Sequence, residues 1–434
     1  MARIAIIVEL KERDLLPSVL LKYALTQRKH TVLLVSHYDL VGTHLLLFRP
    51  DIIIVNGLKS DKNYITQIML PKKIFGAKIV SLYSEQIVGT TGLAQSYNND
   101  LILESVDAHI SWGRKFATSL VEMNVDPQKI WITGSHRLDL PFYINNQKSY
   151  IRDLLSKKYQ LNPKKKWILI SDNILAENKE NSNLYSYRRN NFDNCVKTIA
   201  QNFKETEIIF RPHPAMKKNE LEETKKHLNG LPNVKIISDE HISIWCTQIY
   251  LVVIWNSTTA IDAWANNVPT LAYVLPNDNK NSWNHGLMDK FTNHNKIVNT
   301  IKRLFNEGTL KITTEMQMQK SSFIDNWYFR IDGLSTLRTM HVIEQGLSTQ
   351  PNSVKKIRNK SITTLIKSYS YEYIGILSRL LKGNKLLRID TSDIKSCHKF
   401  LSDNEVENQL KERIESEYPI IKTKTTNYGR EFTF

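Results

Sequence analysis

The chain predicts an α/β fold of two doubly wound domains followed by a helical C-terminal region. Short β-branched apolar runs alternate with amphipathic stretches through the first 275 residues, the pattern of βα units around parallel sheets. The alternation pauses once, in a polar stretch at residues 145–165, and then restarts. At 434 residues the chain is also too long for one ordinary core. A composition 41% hydrophobic and 9% aromatic excludes a disordered polyelectrolyte.

In the first half, strands are predicted at Ile4 to Leu10, Thr31 to Ser36, Asp51 to Asn56, Lys78 to Ser84, Ala108 to Trp112 and Lys129 to Thr133. Leu15 to Arg28, Tyr64 to Ile74 and Arg114 to Met123 carry helical periodicity between them. A second sheet is predicted from Trp167 to Ser171, Glu207 to Phe210, Val234 to Ile237, Tyr250 to Trp255 and Thr270 to Val274. After about residue 295 the strands are expected to stop, with helices at Asn295 to Asn306, Glu315 to Phe329 and Ser335 to Gln345. Two domains of similar size joined by a short connector predict a cleft, the usual place for a small ligand.

The net charge is +16, from 59 Lys+Arg against 43 Asp+Glu. Nucleic acid, anionic lipid and a phosphorylated small molecule are all candidate partners for such a surplus. Residues 351–402 hold 11 Lys+Arg and 3 Asp+Glu, so about half of the surplus sits there. Three scattered cysteines form no CxxC pair or metal cluster, and a reducing cytoplasm is expected. The apolar start Met1 to Val8 is broken by Glu9 and the charges that follow, unlike a signal peptide. No run approaches the roughly 18 apolar residues that span a bilayer.

Two segments look built for phosphate. In Glu207-Ile-Ile-Phe-Arg211-Pro212-His213-Pro214 an apolar strand delivers Arg211 and His213 at its carboxyl end, with prolines restricting the backbone around the imidazole. In open α/β sheets that end faces the ligand crevice, where Arg offers a planar fork and His an N–H donor or a proton. In Tyr250 to Ala260 a strand runs into Asn256-Ser257-Thr258-Thr259 at a helix start. The free N–H groups there favour an anion, although a lone Ser is more often just an N-cap. The chain has no Walker Gly-Lys-Ser/Thr and no G-x-G-x-x-G opening a helix. Those absences argue against ATPases and dinucleotide oxidoreductases and leave a nucleotide-activated sugar or polyol donor.

Further motifs fall in a recognisable order: Val8-Glu9 at a strand end, Tyr83-Ser84-Glu85-Gln86 after the fourth strand, and Trp112-Gly113 at the next strand end. Then come Thr133-Gly134-Ser135-His136-Arg137-Leu138-Asp139-Leu140, the two phosphate segments, and a late Trp327, Asp332, Gly333, Ser335, Arg338 pattern. Over roughly residues 1–345 the chain resembles GT-B-type glycosyltransferases of bacterial surface-carbohydrate biosynthesis. It is more distantly similar to capsule Kdo-transferases, polysialyltransferases and CDP-glycerol glycerophosphotransferases.

The resemblance implies a GT-B architecture of two Rossmann-like domains facing a cleft: residues 1–145 for the acceptor and 146–310 for the nucleotide donor. Helices at 311–350 would pack back across the domains, and 351–434 would form a basic amphipathic extension. It implies that His213 contacts the leaving phosphate, that Ser257 and Thr258 are phosphate ligands, and that Glu85 is the base. Two departures from the family pattern stand out: the double acid followed by Gly is Ser84-Glu85-Gln86, and Asn-Pro is Ser135-His136.

The function expected is metal-independent sugar transfer, without a cofactor, from a nucleotide sugar such as a CMP-linked ulosonic or nonulosonic acid to a lipid-linked surface glycan. Catalytic candidates are Glu85 and His213, and donor ligands are Arg211, Asn256, Ser257, Thr258 and Thr259. Preorganised donors at the leaving group are usually the largest catalytic term. Glu9, Arg137 and His285 are secondary candidates; Gly89 and Gly92 suggest a mobile loop beside Glu85, and Arg137 and Asp139 an ion pair. A strand-end carboxylate such as Glu85 can equally be a partner for a Lys. The basic tail from Lys355 to Lys399 reads as a helix on an anionic membrane surface, which places the protein on the inner face of the cytoplasmic membrane. No nucleic acid is expected. The alternatives are a CDP-polyol phosphotransferase and a non-catalytic scaffold that binds membrane or nucleic acid.

Overall fold

The first apolar run forms β1 (Arg3–Val8), in which every residue after Arg3 is buried. It is followed by β2 (Thr31–Ser36), β3 (Ile52–Val55), β4 (Lys78–Ser81), β5 (Ala108–Ser111) and β6 (Ile130–Ile132). In this computed structural model the described residues are all except 38–40, 57–61, 84, 87–99, 174–181, 215, 275–285, 349–388, 390 and 434. Strands β3 to β6 are almost wholly buried. Continuous Ile and Val runs suit strands covered by helices on both faces. Between β1 and the helix Leu16–Gln27 lies a π-helical turn, Lys11–Leu15, which the sequence pattern does not reveal.

The second run of strands comprises β7 (Lys166–Ser171), β8 (Thr206–Arg211), β9 (Val234–Ile236), β10 (Leu251–Ile254), β11 (Thr270–Tyr273) and the two-residue β12 (Lys290–Phe291). All are parallel, in the order β12-β11-β10-β7-β8-β9. Phe192, Val196 and Ile199 on the helix Ser182–Asn202, with Ile297 and Ile301 on His294–Glu307, close a core over Ile168, Ile170, Phe210 and Val253.

The chain divides into two compact units: residues Met1–Tyr143 with Ile324–Phe434, and residues Ile144–Phe323. The second unit therefore includes most of the helix Thr314–Tyr328, where Phe323 meets Trp264 edge-on and Lys320 lies 4.6 Å from the Trp264 ring centre.

Strands do not stop near residue 295. Residues 391–433, expected as part of a basic extension, fold into the first unit as two helices, Thr391–Asp403 and Val406–Ser416, and a hairpin of β13 (Lys422–Thr426) and β14 (Gly429–Thr433). Strand β14 adds in parallel to β6, which completes an eight-stranded sheet in the order β13-β14-β6-β5-β4-β3-β1-β2. Gly429 has φ +143°, and a Cβ there would come within 2.9 Å of the Ile130 carbonyl oxygen, so only glycine lets the strand approach. The signal is faint in the sequence because β13, Lys-Thr-Lys-Thr-Thr, is an exposed edge strand whose lysines discourage further pairing.

Glu344, on the helix Ser335–Ser348, ties this C-terminal segment down. It accepts from Arg28 Nε at 3.1 Å and from Tyr418 Oη, and lies 3.1 Å from His30 Nε2. Burial alone would push this carboxyl up, but the hydrogen bonds from His30, Tyr418 and Arg28 hold it down to about 2. A depressed folded-state pKa gives stability that is present above the ordinary carboxylate range and lost as pH falls toward 2. Wild type should lose on the order of 2 kcal/mol through this group between pH 5 and 2.5, measured by urea unfolding. Glu344→Gln should already be weaker at pH 7 and show a shallower acid slope.

Candidate functional site

In the second unit, sheet order runs one way from β7 to β9 and the other way from β10 to β12, so the topological switch lies between β7 and β10. Ligands of open α/β sheets bind outside the carboxyl ends at that point. Ser171, the last residue of β7, is opposite Ile254 on one side and Arg211 on the other. Its hydroxyl lies 3.0 Å from Ser257 Oγ and 2.9 Å from Thr259 Oγ1, and the latter two are 3.0 Å apart. Ser257 and Thr259 thus form a buried hydroxyl triangle with a residue the sequence reading missed. Ser171 is legible only once β7 and β10 are known to be neighbours.

Asn256 and Thr258 remain half-exposed above the triangle. Asn256 has φ 45°, a left-handed conformation that Asn tolerates better than most residues, and its carbonyl accepts from Asn173 Nδ2 at 3.1 Å. Thr258 occupies the N-cap position of the helix Thr259–Ala265, and no side-chain cap bond comes from it.

His213 follows β8 and is half-buried. Arg211, expected to face a phosphate, is buried, and its fork donates to the carbonyls of Asp239 at 2.8 Å and Glu240 at 2.7 Å. It fastens the turn beside His213. Below the strand ends, fully buried Arg189 pairs with Asp172 at 2.5 Å and with Asp193 at 3.4 Å, and His227 lies 2.8 Å from Asp193. Burial opposes the Arg189 charge, but these carboxylates hold its pKa above the ordinary value.

In the first unit the switch lies between β1 and β3, since β2 flanks β1 on its other side. Here the π-helical turn projects Arg13, which binds three carboxylates: Asp14 at 2.7 Å, Glu85 at 3.0 Å and Glu9 at 3.4 Å. Burial works against the Arg13 charge, and the carboxylates, Asp14 foremost, more than reverse it. Glu85 is exposed, and its neighbour Gln86 is fully buried, donating to the carbonyls of Leu82 and Ile110 and accepting from Trp112 N. Gln86 therefore locks the loop that carries Glu85. Arg137 is buried, 5.7 Å from the Trp112 ring centre.

Several motifs prove to be scaffolding. A Cβ on Gly113 would sit 2.3 Å from the Asn326 carbonyl oxygen, so the Trp-Gly pair exists to admit the end of the helix Thr314–Tyr328. Arg338 donates to the Thr133 carbonyl at 2.6 Å and forks onto Asp332 at 2.8 Å twice. Asp139, expected to pair with Arg137, accepts from the backbone of Ser335 at 3.3 Å and Thr336 at 2.5 Å. Burial pushes its carboxyl up to about 6 against these donors and Arg338. The Thr-Gly…Asp and Asp-Gly…Ser…Arg motifs are thus two halves of one knot. Ser84, Gly89, Gly92 and His285 lie outside the described residues, as does the basic stretch from Lys355 to Arg388. Among the described residues no helix is long and apolar enough to cross a membrane.

Two units, each built on a largely parallel sheet whose strand order reverses beside its first strand, β1 or β7, define a GT-B-type α/β fold of two Rossmann-like domains. No family model and no curated protein matches the sequence. Among solved structures the chain is similar to MnaA of S. aureus in its UDP co-structure, with TM-score 0.55, 17% identity, and 81% of this chain and 98% of that one covered. It is also similar to the Neisseria meningitidis UDP-GlcNAc 2-epimerase bound to UDP-GlcNAc, with TM-score 0.53, 12% identity and coverage of 80% and 100%. A third is the wall teichoic acid polymerase TagF, variant H444N soaked with CDPG, with TM-score 0.55, 14% identity and coverage of 79% and 88%. At these identities the likeness is one of fold.

Because Arg211 satisfies two carbonyls, Arg211→Met should cost about 2 kcal/mol in urea unfolding. An arginine that served only an external phosphate would leave the unfolding midpoint unchanged or raise it.

Proposed function

We propose that the chain is a metal-independent glycosyltransferase that takes a sugar from a nucleotide donor, a CMP-linked ulosonic or nonulosonic acid, to build a bacterial surface glycan. The observation that carries this reading is the second unit's switch point. There, half-exposed Asn256 and Thr258 follow β10 and His213 follows β8, the two strands that flank β7, whose last residue completes the buried Ser171–Ser257–Thr259 triangle. Fixed hydroxyls and an imidazole suit a phosphate that gains charge as its bond to the sugar breaks, because they need no reorganisation at that moment. His213 is assigned to the leaving phosphate. Arg211 is assigned to positioning the His213 loop, since its donors are engaged by carbonyls.

The printed ligands of the fold's neighbours, UDP, UDP-GlcNAc and CDPG, support a nucleotide-linked donor. The TagF likeness favours a second reading, transfer of a polyol phosphate from a CDP-polyol. Glu85 and Glu9 share Arg13, and both are assigned to fixing the π-helical turn that carries it.

Thermal shift with CMP, UDP and CDP-glycerol, followed by product analysis, separates the readings. The first expects stabilisation by CMP, sugar transfer from a CMP-sugar, and about 10-fold or greater loss of CMP affinity in His213→Ala, equivalent to about 1.4 kcal/mol. A phosphodiester product from CDP-glycerol would establish the second reading instead. Epimerisation of UDP-GlcNAc without transfer, or no nucleotide binding at all, would overturn both.

A further inference from the structure

The amino ends of the second unit's strands lie at the opposite edge of the sheet from Ser171, Ser257 and Thr259, and they carry a basic face that the donor reading leaves unused. The chain enters β7 through Lys164, Lys165 and Lys166, and it reaches β8 through Lys204. Lys166 is opposite Thr206 in the β7–β8 register, and Tyr250 N donates to the Trp167 carbonyl, so the starts of β8, β7 and β10 stand side by side. Aromatic rings close the core beneath them. Phe305, on the helix His294–Glu307, meets Phe203 at 5.2 Å and Tyr250 at 5.3 Å between ring centres.

Contacts join the cations into one surface. Lys166 Nζ lies 4.1 Å from the Tyr250 ring centre and 4.4 Å from that of Phe305. Lys165 Nζ donates to the Lys204 carbonyl at 3.4 Å, and Arg152 donates to the Pro163 and Lys165 carbonyls. Lys302 stands one turn before Phe305 on its helix, with Arg303 beside it. Lys164, Lys166, Lys204, Lys302 and Arg303 are exposed. Glu205, which lies 3.6 Å from Lys165, and Glu307 offset two of these charges and leave the face basic.

The rings are roofed over rather than presented: Phe203 is buried, and Tyr250 and Phe305 are half-buried. Single-stranded nucleic acid binds by stacking its bases on open rings, and a duplex is read by an element that enters a groove. Among the described residues this edge offers neither. An anionic bilayer asks only for a broad positive face whose long lysine stems reach the headgroups. Ile312, 51% exposed and two residues beyond Leu310, which packs on the same core, adds an apolar side chain. We propose that this amino edge is a docking face for an anionic lipid surface. A bilayer there leaves the carboxyl edge of the same sheet open, with His213, Asn256 and Thr258, and the proposal stands independently of the transferase reading.

Sedimentation of the full chain with vesicles of phosphatidylcholine, alone or with about 30% phosphatidylglycerol, measures the partition. Wild type should bind only the second kind. Lys164→Gln, Lys204→Gln and Lys302→Gln combined should weaken that binding about 100-fold, since each lysine near an anionic surface is worth about 5-fold. Lys115→Gln, Lys411→Gln and Lys422→Gln combined remove the same charge from exposed positions of the first unit and should weaken it far less. A difference between the two triple variants smaller than about 10-fold would overturn the proposal. So would wild type that binds duplex DNA but not the phosphatidylglycerol vesicles at about 0.15 M salt, which would give the face to nucleic acid. Orientation is read without the triple variants, from a polarity-sensitive fluorophore on Lys164→Cys or on Ser238→Cys, beyond the carboxyl end of β9, each in a Cys397→Ser background. Its emission should shift to the blue on the anionic vesicles at position 164 and not at 238. A shift at 238, or none at 164, would overturn the docking face.

Discussion

Strands β1 and β7 are each paired on both edges and buried along nearly their whole length, and each stands where its sheet reverses direction. A strand so enclosed can hold polar chemistry only where it ends. The carboxyl ends of these two strands and their neighbours are therefore where Glu9, Arg13 and Asp14 gather in one unit, and Ser171, Ser257 and Thr259 in the other. The same covering by helices that makes the sheets stable concentrates the hydrogen-bonding groups at one edge of each.

Holding those groups still takes charged side chains that look functional in isolation. Arg211 fastens a turn, Arg338 clamps Asp332 and the Thr133 carbonyl, Asp139 caps a helix start, and Arg189 is paired beneath the β7 end. A buried guanidinium with several fixed partners is rigid, and rigidity of the support is what lets an exposed imidazole or hydroxyl keep its place. On the function proposed, the residues assigned to the donor are fewer and plainer: His213, Asn256 and Thr258 in the second unit.

The C-terminal hairpin shows a different economy. The β6 edge would otherwise expose unpaired backbone groups, and β14 pairs with it in parallel, leaving the lysine-bearing β13 as the new edge. The local surplus of positive charge falls in residues 349–388, of which no structure is described, whereas the folded segment from 391 onward, with 7 Lys+Arg against 8 Asp+Glu, is anchored by Glu344 through Tyr418.

The alternation of β-branched runs with helical periodicity was enough to locate the first eleven strands, because residues buried on both faces must be apolar wherever the fold puts them. It was also enough to single out His213 and the Asn256–Thr259 cluster, since polar groups directly after an apolar strand have few places to go. Ser171 and Arg13 were not legible as members of the strand-end clusters. Their meaning depends on which strands are neighbours and on a π-helical turn, and contacts between residues 86 apart, such as Ser171 and Ser257, leave no local periodicity. Nor could sequence alone tell Arg211 the ligand from Arg211 the fastener: both need a cation at a strand end, and only the tertiary position of the Asp239 and Glu240 carbonyls decides which it is.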